Sequence, residues 1–134
     1  MKRLVAAILA SMLALSAVST ASAGTATGTT TLLGSAVAGS SVDVDVTAVS
    51  EIPVVPYEYS IRNECNFAGR TNGRPDSTQT DPIVNWLYSD PTNTIPHAIM
   101  PLYFTKIPAG SFCKVFLLRN NQVVKGSVTS YTVQ

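Results

Sequence analysis

The sequence predicts an all-β fold: a single-domain antiparallel β-sandwich behind an N-terminal signal peptide. Three observations point to it. Strict alternation of apolar and polar residues recurs along the chain, as in Val42-Asp43-Val44-Asp45-Val46-Thr47. Turn-forming residues separate the alternating runs. No 3.6-residue apolar period is sustained after residue 23. Short strands with turn signals between them build a sandwich or a small barrel.

Residues 1–23 supply the export signal. Lys2 and Arg3 form a positive start, an apolar stretch follows, and Ala21-Ser22-Ala23 is a small-residue cleavage site. Cleavage is expected between Ala23 and Gly24. Removing 23 of 134 residues leaves 111, one domain's worth of chain. No later stretch reaches about 18 apolar residues, so no transmembrane segment is expected after cleavage. The expected destination is secreted, either extracellular or periplasmic.

Cleavage also changes the charge. Nine basic residues fall to seven, against eight acidic ones. No Lys/Arg cluster remains that would neutralise a phosphate backbone, so nucleic acid is excluded as an expected partner. Cys65 and Cys113 are the two cysteines of the chain. In an oxidising compartment an even pair reads as one disulfide.

Residues 24–41 are rich in Thr, Gly, Ser and Ala and read as a flexible N-terminal segment or an edge strand, with weak pairing at 29–33. The sandwich domain is expected over 42–134. Residues 42–47 put three valines on one face and two carboxylates on the other. Pro53 and Pro56 mark a bend. Residues 57–65 alternate again, with Tyr57, Tyr59, Ile61 and Cys65 inward and Glu58, Ser60, Arg62 and Glu64 outward. Residues 69–82 contain no hydrophobic side chain and read as one long exposed loop. A short apolar run at 83–88 carries Trp86, and 89–93 reads as a turn. Residues 98–105 read as a strand interrupted at Pro101, and 107–110 as a corner. Residues 111–118 form the strongest apolar strand. Asn120-Asn121 supply a tight turn, and 122–133 return as the last strand with a bulge at Gly126.

The order of Cys-bearing strand, Trp86, proline corner, second Cys-bearing strand and hairpin is similar to immunoglobulin-like sandwiches. The similarity concerns architecture, not family membership. The corner tyrosine of that fold, two residues before the second cysteine, is Ser111 here. Cys65 closes its strand while Cys113 opens its own. A bridge between them therefore calls for antiparallel strands, or for one cysteine in a loop, and is expected near one end of the sandwich.

Catalysis needs convergent groups, and none converge in the sequence. His97 is the single histidine, with no serine motif beside it. Asp43 and Asp45 read as a solvated strand face. No cofactor and no metal is expected. The strand at 111–118 is apolar on both faces. With Cys113, Val115 and Leu117 inward, Phe112, Phe116 and Leu118 lie outward beside Lys114. Either the N-terminal segment covers them or they form a partner surface.

The expected function is a secreted, non-catalytic binding or cell-surface interaction module, with a protein or a surface glycan as partner. Arg70 and Arg74 of the polar loop join Phe112 and Phe116 as the candidate partner surface. One alternative is a structural subunit of a surface fibre or layer, self-associating through residues 24–41. Another is a small secreted inhibitor or toxin that uses the 69–82 loop.

Overall fold

A computed structural model describes residues 26–50, 58–68, 70–88 and 95–134. The signal peptide with its Ala23–Gly24 junction, the bend at Pro53 and Pro56, Tyr57 and the 89–93 turn lie outside the described residues.

Among the described residues nine strands follow in chain order: β1 (Ala26–Leu32), β2 (Ser41–Ser50), β3 (Tyr59–Asn66), β4 (Ser77–Pro82), β5 (Leu87–Tyr88), β6 (Pro96–Tyr103), β7 (Phe112–Arg119), β8 (Gln122–Val123) and β9 (Thr129–Thr132). They build two antiparallel sheets packed face to face, a β-sandwich. The first sheet runs β1-β2-β6-β5; the second runs β4-β3-β7, with β8 and β9 both along the far edge of β7.

Alternation decides what the sandwich buries. Val44, Val46 and Ala48 of β2 meet Tyr59 and Ile61 of β3 and Val115 and Leu117 of β7 in one core, and each is at most 1% exposed. Each fully buried valine contributes about 1.5–3 kcal/mol of transfer free energy. Phe104, Ile83 and Val124 fill the core from the connections, and Val133 from the segment after β9.

The structure decides between the two readings of the N-terminal segment. Residues 26–32 form an edge strand, longer than the weak pairing expected at 29–33; they pair with β2 over seven positions, from Ala26↔Ser50 to Leu32↔Val44. Apolar patterning misses this strand because close approach, not hydrophobicity, holds it. A side chain at Gly28 would place its Cβ 2.6 Å from Thr47 O and 3.0 Å from Leu117 Cδ2. Gly28 N donates to Lys125 O at 3.1 Å. Thr30 Oγ1 donates to Ser127 O at 2.6 Å, and Thr129 Oγ1 donates to Thr30 O at 2.7 Å. These bonds seal one side of the sandwich.

The opposite side brings a correction. Residues 69–82 are not one loop, because 77–82 form β4, registered on β3 from Cys65↔Ser77 to Ser60↔Pro82. An edge strand satisfies its backbone on β3 and needs no apolar face of its own, so composition hides it. Gln79 of β4 then reaches the other sheet. Its Nε2 donates to Pro101 O at 2.9 Å and its Oε1 accepts from Tyr103 N at 3.0 Å. Strand β5 pairs only with Pro96 and His97 of β6. Pro101 therefore lies within β6 where no strand flanks it on that side, a position that tolerates proline.

The C-terminal hairpin forms as read. Asn120 and Asn121 take φ of 49° and 66°, the left-handed pair of a two-residue turn. Gly126, at φ 82°, interrupts the returning strand and divides it into β8 and β9.

Cys65 and Cys113 form a disulfide and stand directly opposite each other on antiparallel β3 and β7, with Cα atoms 4.1 Å apart. Both are fully buried at one end of the ladder. The bridge lies within one sheet, whereas the immunoglobulin bridge joins two. Trp86 packs edge-on against Tyr59, with ring centroids 5.5 Å apart. Tyr59 begins β3 and Cys65 nearly ends it, so tryptophan and disulfide sit at opposite ends of the sandwich.

Candidate binding cleft

The residues flanking each cysteine point away from the core. Along β3 and β7 the register pairs Glu64 with Lys114 and Asn66 with Phe112, on either side of Cys65↔Cys113. Period two turns the cysteines inward and these four residues outward. They make the floor of a cleft of about 210 Å³. Its wall is the connection from β3 to β4, which contributes Thr71, Asn72, Gly73 and Pro75.

That connection is tied down along its length. Asp76 N donates to Cys65 O at 2.9 Å. Asp76 Oδ2 accepts from Phe67 N at 2.7 Å and from Arg70 Nη2. The Phe67 amide first, and then the Arg70 guanidinium, hold the Asp76 carboxyl below the usual carboxylate range. Asn66, only 8% exposed, donates from Nδ2 to Asn72 O at 2.8 Å and draws the wall toward the floor. Gly73 takes φ 87° at the tip, a conformation in which a side chain would be strained.

The floor is supported from beneath. Tyr131 of β9 donates from its hydroxyl to Asn63 Oδ1 at 2.5 Å, and Asn63 Nδ2 lies 3.5 Å from Cys65 Sγ. Burial pushes the Tyr131 phenol well above its ordinary pKa, so it remains a donor.

The four candidate partner residues separate. Phe112, half-buried, is in the cleft. Phe116 is 5% exposed, so of its two readings the covered one holds and it presents almost nothing to a partner. Strand β1 is not the cover, because Gly28 approaches Leu117, which points inward. Arg70 and Arg74 are exposed on the connection, and neither lines the cleft. Arg70 is spent on Asp76. Sequence reasoning missed Glu64, Asn66 and Lys114 as site residues. Alternation already placed Glu64 and Lys114 outward beside the cysteines, while Asn66 lies one residue past the strand expected at 57–65; what was lacking was the wall that makes the position concave.

A second polar group lies on the outer face of the first sheet. Thr29 Oγ1 and Thr47 Oγ1 are 2.5 Å apart. His97 stands opposite Thr47, and its Nδ1 is 3.5 Å from Asp45 Oδ1. At the tryptophan end, Arg119 pairs with Glu58 at 3.0 Å and stacks over Tyr59, 5.7 Å from the ring centroid. Among the described residues no group of three or more side chains of the metal-binding types is gathered, and no helix is long and apolar enough to cross a membrane.

No protein-family model matches this chain, and no characterised protein and no solved structure is significantly similar to it.

Proposed function

We propose that this protein is an exported, non-catalytic binding module that holds its ligand in the cleft beside the Cys65–Cys113 bridge. One observation carries the reading: a polar connection is bonded down over a strand face through Asp76, Arg70 and Asn66, and encloses a half-buried aromatic ring. A concave site with an apolar surface and a few fixed polar groups is the usual form of a small-ligand site. The buried disulfide supports export, since such bonds persist in oxidising compartments.

Other observations rank the alternatives lower. Residues 26–32 complete this chain's own first sheet, which favours binding over assembly through that segment. Arg70 holds the connection rather than offering itself to a target, which tells against an inhibitor's anchoring loop. The experiment is a pull-down of the producer's surface material by the purified protein. Capture is expected, and Phe112→Ala and Lys114→Met should reduce it. Equal capture by wild type and both variants would remove the cleft from the function.

A further inference from the structure

We infer that the cleft takes a neutral pyranose unit, at the end or a branch of a surface glycan, with the ring stacked on Phe112. This rests on the binding-module reading above and names the ligand of that site.

Charge comes first. Glu64 and Lys114 face each other across the β3–β7 ladder, so the floor carries one charge of each sign. The two cancel at the scale of a ligand, and the site has no net charge with which to recruit an anion or a cation. What remains is a hydrogen-bonding set. A carboxylate only accepts, an ammonium only donates, and a carboxamide does both. Asn66 is fixed before a ligand arrives, because its Nδ2 is committed to Asn72 O and its Oδ1 is left to accept. A sugar hydroxyl both donates and accepts, so a rim of hydroxyls can use every member of this set.

The apolar surface fits the same ligand. Phe112 offers a ring at the floor, and the C–H face of a pyranose meets the negative face of an aromatic ring favourably. Size agrees: the cleft, near 210 Å³, is smaller than the ~300–1,000 Å³ pockets that enclose drug-sized ligands.

A polypeptide fits less well. An extended peptide binds by adding a strand to a free sheet edge. Here β3 is paired on both sides by β4 and β7, and β7 on both sides by β3 and β9. The floor of the cleft has no such edge.

The test is a titration of the purified, isotope-labelled protein with neutral hexoses and their disaccharides, and separately with di- and tripeptides, read by amide NMR shifts. Saturable shifts by a sugar, confined to Glu64, Asn66, Phe112, Lys114 and residues 70–76, are expected. Phe112→Ala should weaken that binding by about tenfold, within the range of an aromatic contact and its buried area. Lys114→Met leaves the core untouched and should weaken it too. Peptide shifts at these residues without sugar shifts would overturn the glycan assignment and leave the binding module standing. Shifts by neither ligand class would overturn the glycan assignment as well, and the pull-down would then decide the module alone. Sugar binding unchanged in both variants would overturn the placement of the ring on Phe112.

Discussion

The two sheets carry similar polar residues on their outer faces, yet among the described residues only one of those faces is walled by a bonded connection. The first sheet shows Thr29, Thr47, Asp45 and His97, which meet one another across β1, β2 and β6. The second shows Glu64, Asn66 and Lys114 beside an aromatic ring, under a connection that Asp76 holds in place. A polar strand face becomes a candidate site when something fixed gives it depth.

The largest expected effect comes from removing the staple beneath the deeper face. Replacing both cysteines (Cys65→Ala with Cys113→Ala) opens a loop with a sequence separation of 48. Chain entropy puts the loss at roughly 4 kcal/mol. Thermal unfolding should fall steeply, and the amides of Glu64 and Lys114 should lose exchange protection before those of β2. Equal loss in both sheets would dissolve the contrast between the faces.

Asp76 gives a more local effect. Asp76→Ala should free residues 67–76 and abolish capture by the cleft while the melting temperature stays near wild type. The pH dependence has a definite sign. A carboxylate whose folded pKa is depressed contributes its stability above its unfolded value, about 3.9, and loses it as pH falls through the lower folded value. The Phe67 amide, which donates to Asp76, should therefore move in acid with a midpoint below the unfolded value. A midpoint at or above the unfolded value would show that the anchor is not formed.

The smallest effect belongs to the first sheet. His97→Gln breaks a half-exposed pair with Asp45, and such pairs are worth about 0–1 kcal/mol. Stability and capture should both remain close to wild type in denaturant titration and pull-down. Loss of a hydrolytic activity in this variant would make the first sheet's face the functional one.

The strands that alternate were legible in the sequence. β2, β3 and β7 follow from period two, and the hairpin from Asn120-Asn121. Antiparallel β3 and β7 follow from where each cysteine stands in its strand. Of the two edge strands, β1 was legible only as one of two readings and β4 was hidden, for different reasons. β1 is held by the close approach at Gly28 and by threonine hydrogen bonds, which leave no apolar pattern. β4 has no hydrophobic residue at all, and its pairing with β3 is a property of the fold rather than of the segment. Phe112 could be picked out because its strand is apolar on both faces. Its separation from Phe116 could not, because burial of Phe116 is set by tertiary packing.

Gln79 has a consequence for how copies of this protein meet. An exposed strand border grows by accepting another chain's backbone groups, which is how sheets fuse into fibres. On β6 the carbonyl of Pro101 and the amide of Tyr103 are already occupied by a single carboxamide from the opposite sheet. A newcomer would have to displace both bonds to extend the sheet there. One glutamine thus closes that stretch of the β6 border to a further strand, where proline has already removed a donor.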